Sequence, residues 1–235
     1  MFPETHAMKP ILLLSTLLAL FAGSVATANP IPYIPEPTRV RMYVEKVQII
    51  IVGDRAKVSG TYGFTFQGTR NTGRYIHLPI FLPVYGAKGA PAKGMTPKYM
   101  EEGYDEWDVM EPVEPEHDSK AIASFGDMPQ LEGQVVHWFV ANRHAVRLPS
   151  RTVMSLKMEY WQELSNGKFI YTPLLPNMKK DHDYGEITIV ADRPLKLLNA
   201  DKHDFVQKED RLTVEPFHKR AVVVELGKRA KLLTP

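Results

Sequence analysis

The sequence contains no cysteine. That excludes disulfides, thiolate nucleophiles, cysteine-ligated metals and anchoring through a lipidated cysteine. Strong net charge is also missing. The formal charge is +2 over 235 residues, so no global field marks a nucleic-acid binder. No long segment repeats apolar residues at helical spacing,. No G-x-S-x-G elbow occurs, and nothing in the sequence positions Ser124 or Ser150 against His137 or His144,. The glycine-rich run from Gly86 to Gly94 lacks the spacing of a phosphate-cradling loop,. The histidines are scattered, and Asp181-His182-Asp183 is the one tight group. It reads as a solvated loop before it reads as a metal site. No cofactor, no metal site and no catalytic residue is expected.

What is present is β patterning, clearest in Val40–Gln67. Gly53-Asp54 suits a two-residue type II′ turn, which fixes a register: Ile51 opposite Ala56, Ile49 opposite Val58, Val47 opposite Gly60,. The returning strand alternates. Ala56, Val58, Tyr62, Phe64 and Phe66 share one face; Arg55, Lys57, Ser59, Thr61 and Thr65 share the other,. The outgoing strand alternates in two phases, Val40-Met42-Val44 and Val47-Ile49-Ile51. One extra residue near Glu45-Lys46 would bring both to the core, so a β-bulge is expected there. A twist that packs Val40–Val44 on another layer is the alternative.

At the N-terminus, Met8-Lys9 precedes a mostly apolar run, Ile11–Ala22, and then Ala26-Thr27-Ala28. This is the order of a cleaved secretory signal, with the apolar run short for a membrane span. The expected organisation is a signal peptide over 1–28, a proline-rich lead-in over 29–37, a β-sandwich domain over 38–227 with a long insertion at 86–118, and a basic tail over 228–235. Two smaller sandwiches divided at the insertion are the alternative. The expected compartment is the periplasm or the exterior of a bacterial envelope, with no stable membrane span after cleavage.

Along the domain, Arg74–Tyr85 is apolar but carries Pro79 and Pro83, which suits an edge or interrupted strand,. Leu131–Ala141 has strand character. Arg151–Pro173 reads as a second hairpin turning at Ser165-Asn166-Gly167. Glu186–Ala191, Leu195–Leu198, Phe205–Gln207, Arg211–Val214 and Ala221–Leu226 are further short strands. Many short strands with regular turn signals predict an all-β fold, an Ig-like antiparallel β-sandwich with a long irregular insertion.

Val47–Pro79 resembles the opening of a VIT-type (vault/inter-alpha-trypsin) β domain. The pieces that carry the likeness are Gly53-Asp54, Thr61–Phe66 and Tyr75-Ile-His-Leu-Pro79. Such domains often precede an adhesion domain with an Asp-x-Ser-x-Ser metal signature. That signature is absent here, so no adhesion metal site is implied. The remainder is similar, in a general way, to small exported bacterial proteins with Ig-like strands, which implies fold and compartment but no activity.

The insertion is the composition break. Glu101–Asp118 holds nine acids and no Lys or Arg, interleaved with Tyr104, Trp107 and Met110. A short helix near Tyr99–Trp107 fits the pattern. Asp105, Glu106 and Asp108 lack any EF-hand spacing for calcium. Aromatics and Met are enriched at interface cores, so Tyr104, Trp107 and Met110 are the candidate protein-docking residues. Glu159 and Glu163 are a candidate carboxylate pair, read more simply as a solvated strand face. His137-Trp138-Phe139 and Tyr160-Trp161 are a candidate sugar platform, read more simply as core and cross-strand packing. The sequence thus favours a non-enzymatic binding or interaction module whose partner is another envelope or surface protein, with no nucleic acid. A carboxylate-dependent hydrolase and a periplasmic pilus-type chaperone are the alternatives.

Overall fold

The structure is a computed structural model. It describes residues 31–32, 39–67, 75–89, 95–113, 122, 133–147, 152–171, 184–202, 204–215 and 222–228. The expected signal segment, most of the proline-rich lead-in, Asp181-His182-Asp183 and nearly all of the basic tail lie outside these residues. The strands in chain order are β1 (Ile31–Pro32), β2 (Arg39–Val52), β3 (Arg55–Gln67), β4 (Tyr75–Ala87), β5 (Lys98–Glu101), β6 (Asp108–Val109), β7 (Glu111–Pro112), β8 (Gln134–Arg147), β9 (Thr152–Glu163), β10 (Lys168–Tyr171), β11 (Tyr184–Ala191), β12 (Leu195–Leu197), β13 (Asp204–Gln207), β14 (Arg211–Glu215) and β15 (Val222–Leu226). The chain is all-β, as expected.

An eight-stranded sheet runs β13-β14-β11-β2-β3-β9-β5-β6. A four-stranded sheet runs β1-β4-β8-β7, and a three-stranded one β10-β15-β12. Buried side chains from all three form one apolar cluster. The antiparallel expectation fails at one central pair, because β2 and β11 run parallel from Val44/Tyr184 to Ile51/Ala191. These strands are far apart in sequence, so no tight turn dictates their direction.

The β2–β3 hairpin has the expected register, with Ile51 opposite Ala56, Ile49 opposite Val58 and Val47 opposite Gly60. Gly53 has φ 62 at the turn, the conformation that glycine adopts without a steric cost. Asp192 accepts the Gly53 N–H at 2.9 Å, and Arg193 donates to the Gly53 carbonyl and contacts the Asp54 carboxylate. The hairpin tip is thereby pinned to the β11–β12 connection.

The expected bulge exists but sits earlier. The register passes from Met42 opposite Phe64 to Val44 opposite Gly63, so Tyr43 is the extra residue. Gly63 makes the bulge possible, since a Cβ there would lie 2.5 Å from the Tyr43 ring. Moving the bulge ahead of Glu45 has a consequence. Val44 is only half-buried, and the carboxylate of Glu45, at 0% exposure, is turned into the core. Burying a charge is costly unless hydrogen bonds replace its water. Tyr171 donates to Glu45 Oε1 at 2.7 Å. The Tyr171 proton being used there, the 3.2 Å contact between the Tyr62 and Tyr171 hydroxyls has Tyr62 as donor,. Burial, and then the nearby Glu45 charge, hold the Tyr62 and Tyr171 hydroxyls well above the usual tyrosine range,.

Two further expectations are corrected. The Asn166-Gly167 turn forms, with φ 49 and 73. Yet β10 leaves the sheet of β9 and pairs with β15. The hairpin keeps a single bridge, Ser165 to Lys168, while β5 pairs further along the same edge of β9, at Leu156–Glu159. The helix expected near Tyr99–Trp107 is absent. Lys98–Glu101 is strand, and a turn at Glu102-Gly103 follows. Tyr99 is buried while Lys98 is exposed, the period of two of an edge strand on a core. In β4 the expected interruption is seen: the register with β8 shifts between Leu78 and Ile80, at Pro79, which has no N–H for the ladder,.

Candidate binding groove

The eight-stranded sheet buries one face. Its other face carries the residues between the core positions, and their cross-strand neighbours follow from the register. One row reads Glu186, Lys46, Thr61, Lys157 and Met100 across β11, β2, β3, β9 and β5. The next reads Thr188, Gln48, Ser59, Glu159 and Lys98. On β3 the outward residues are small: Ser59, Thr61 and Gly63. On β2 and β9 beside it they are long: Lys46, Gln48, Lys157 and Glu159. Short side chains between long ones leave a trough along β3. Its volume is about 460 Å³, within the range of small-ligand sites, roughly 300–1,000 Å³.

Trp107 also lines this trough. It enters from the loop between β5 and β6, which is fixed at both ends. Lys98 and Tyr99 pair with Val109 and Asp108, and the Met110 N–H donates to the Pro97 carbonyl at 2.8 Å. Trp107 retains 41% exposure. The Tyr43 ring covers Gly63 beyond Thr61 and so stands at one end of the trough. Lys57 stands towards the other, paired with Glu159 at 3.1 Å. Ser59 also donates to Glu159, at 3.3 Å. Beyond Lys57, the Arg55 guanidinium lies 5.2 Å from the centre of the Trp161 ring, within cation–π range.

The three residues expected to dock a partner therefore separate. Trp107 faces the trough. Tyr104, at 67% exposure, stands in solvent on the same loop. Met110, at 1%, is packed in the core. Its side chain anchors the loop and offers no surface to a partner. The physical cause is the return of the chain to strand pairing at Asp108-Val109, which turns Met110 inward beside Tyr99 in the core cluster.

The other candidates are placed as follows. Glu159 and Glu163 are four residues apart on β9, about 13 Å along the strand,. Paired glycosidase carboxylates stand roughly 5–9.5 Å apart, so these two do not form such a pair. Glu163 instead accepts the Ala87 N–H at 2.8 Å. Trp138 and Phe139 are core residues, as is Tyr160; Trp161 is on the outer face. Among the described residues no group of three or more His, Asp or Glu side chains could hold a metal ion. Also among them, no helix is long and apolar enough to cross a membrane.

Sequence patterning does not mark the floor of the trough as a site, because each of its residues reads singly as a solvated strand position. The available signal was the run of small outward residues Ser59, Thr61 and Gly63 in one strand, flanked in register by long polar ones.

No family model matches the chain, and no curated protein matches its sequence. Among solved structures, two that align with the chain are the following. One is a candidate nutrient-binding protein from Legionella pneumophila, 11% identical, with a TM-score of 0.49, covering 85% of this chain and 70% of that one. The other is yeast LTA4 hydrolase in complex with bestatin, 7% identical, with a TM-score of 0.36, covering 79% of this chain and 28% of that one.

Proposed function

We propose that this chain is an exported binding module of the bacterial envelope whose ligand lies in the trough along β3. The observation that carries the reading is Trp107, held 41% exposed over the trough by strand pairing on both sides of its loop. A large apolar ring kept out of a nearby core costs burial energy, on the order of 2 kcal/mol, and a ligand that stacks on it recovers that loss. The floor suits a polar ligand with several hydrogen-bonding groups. Ser59, Thr61 and Thr188 supply hydroxyls, Gln48 an amide, and both charge signs are present. Export is supported by the order of Lys9, the apolar run Ile11–Ala22 and Ala26-Thr27-Ala28,. The VIT-like hairpin is, on this reading, the frame of the site, since it supplies Ser59 and Thr61.

The test is amide and indole chemical-shift mapping with a panel of short saccharides and tripeptides. Active compounds are expected to move the Trp107 indole N–H together with the amides of Ser59–Thr61 and Lys157–Glu159. Shifts confined to Tyr104 and its neighbours would instead favour a second reading, supported by the 67% exposure of Tyr104, in which the loop tip docks another envelope protein. Shifts on neither set defeat the assignment of function to this face.

A further inference from the structure

Resting on the trough as the binding site, we infer that its ligand is an acidic saccharide whose carboxylate sits on Thr61 between Lys46 and Lys157. The argument begins with register. Lys46, Thr61 and Lys157 are direct cross-strand neighbours. The two lysines are therefore two strand spacings apart, about 10 Å between backbones, with a hydroxyl midway. Flexible lysine stems reach inward over that span. An anion above Thr61 then receives the Thr61 hydroxyl and both ammonium groups.

Charge in the surroundings agrees. Glu159 is engaged by Lys57 and Ser59. Neither Lys46 nor Lys157 has an ion-pair partner among the described residues. Glu186 also lines the trough, but it neighbours Lys46 across the β2–β11 pair on the side away from Thr61, separated from Lys157 by β2 and β3 and outside the Lys46–Lys157 gap. Of the acids on the Trp107 loop, Glu102 is placed at Tyr43, whose hydroxyl is raised above its usual range by burial and then by that charge. It borders the end of the trough and not the Lys46–Lys157 gap.

The next row distinguishes a saccharide from a simple anion. Two residues along β3, about 7 Å away, Ser59 lies between Gln48 and Glu159. An amide and a carboxylate flanking a hydroxyl accept from hydroxyl or amide donors. A ligand that fills both rows needs an anionic group at one end, several donors at the other, and a flat apolar face for Trp107. A pyranose unit bearing a carboxylate, within a short chain, has all three.

The experiment is calorimetric titration of the protein with trigalacturonate and with the neutral trisaccharide maltotriose, at low and high salt. Trigalacturonate is expected to bind roughly tenfold or more tightly than maltotriose, as charge-assisted hydrogen bonds predict. Its affinity is expected to fall with salt. Lys46→Met and Lys157→Met are exposed-face changes that leave the core intact, and each is expected to weaken trigalacturonate about tenfold and maltotriose by much less. Thr61→Val is the control for the central hydroxyl. Equal affinity for the two sugars, with no effect of the lysine variants, overturns the acidic assignment while the trough remains a binding site. No binding of either sugar overturns it as well, and the shift mapping with tripeptides then decides whether the trough binds anything. Trigalacturonate binding that survives both lysine variants shows an ion held elsewhere and also overturns it.

Discussion

The β2, β3 and β9 strands of the eight-stranded sheet are about as long as β4 and β8, yet the two groups bury differently. Along β2, β3 and β9 buried and open positions alternate. Along the middle of β4, Ile80, Phe81, Leu82, Val84 and Tyr85 are all buried, and so are Trp138, Phe139, Val140 and Ala141 of β8. A strand covered on both faces is free to be apolar throughout, whereas a strand covered on one face must put polar groups on the other. The difference decides which strands carry a polar outer face. The middle of the doubly covered pair holds the fold with both faces. The singly covered sheet holds the fold with one face and presents Lys46, Gln48, Ser59, Thr61, Lys157 and Glu159 with the other.

The strongest way to break this contrast is to truncate a side chain in each region. Phe81→Ala removes a fully enclosed ring and is expected to cost about 3–5 kcal/mol. Ile50→Ala, on the outer face of β2, is expected to cost about 0.5 kcal/mol or less. Urea unfolding midpoints of the two variants read the difference directly, and similar losses would show that the outer face is covered too.

The bulge gives the next largest effect. Gly63→Ala drives a Cβ against the Tyr43 ring and is expected to cost about 1–3 kcal/mol. In a Tyr43→Ala background the same change should cost much less, because the clash has gone. A double-mutant cycle measures that coupling, and additivity would mean that the ring does not hold the bulge.

The Glu45 network is the polar exception inside the core. Tyr171→Phe removes the 2.7 Å donor to a buried carboxylate and is expected to cost about 1–3 kcal/mol. The same network predicts a pH dependence. The Tyr62 and Tyr171 hydroxyls have pKa values raised by folding. Their stabilising contribution is therefore complete below the unfolded value, about 10. It is lost progressively as pH climbs from there towards the folded values. Urea midpoints should hold up to about pH 9 and fall as pH is raised through about 10 to about 11, and fall less in Tyr171→Phe. A flat profile would contradict the buried placement of these hydroxyls.

The smallest expected effect is on the outer face itself. Lys57→Ala breaks the partly exposed contact with Glu159, for which about 1 kcal/mol is an upper figure.

These contrasts also explain what was legible in the sequence. The β2–β3 register was readable from Gly53-Asp54, because a two-residue turn leaves one pairing. The positions of β11 to β15 followed from short β-branched runs between turn residues. Three things were hidden. The parallel pairing of β2 with β11 depends on long-range packing that no local signal encodes. The position of the bulge depended on Tyr43 finding a place above Gly63, two positions that periodicity treats as unrelated. The pairing of β10 with β15 turned a hairpin into a crossing between sheets, and the pairing of β5 with the edge of β9 replaced a helix with a strand. For the site, Trp107 was legible as an aromatic ring among acids. The floor beneath it was not, since it exists only when β2, β3 and β9 are set side by side. Met110 was read from composition alone, which does not tell an anchor from a contact.

The most direct test of the account is Trp107→Ala, read out for stability and for binding in one preparation. The account predicts a melting temperature within about 2–4 °C of the parent, as for a loss of about 1 kcal/mol in a chain of this size. It also predicts loss of the chemical shifts that saccharides induce at Ser59–Thr61 and Lys157–Glu159. A large fall in melting temperature with those shifts intact would make Trp107 a core residue and place the binding surface elsewhere.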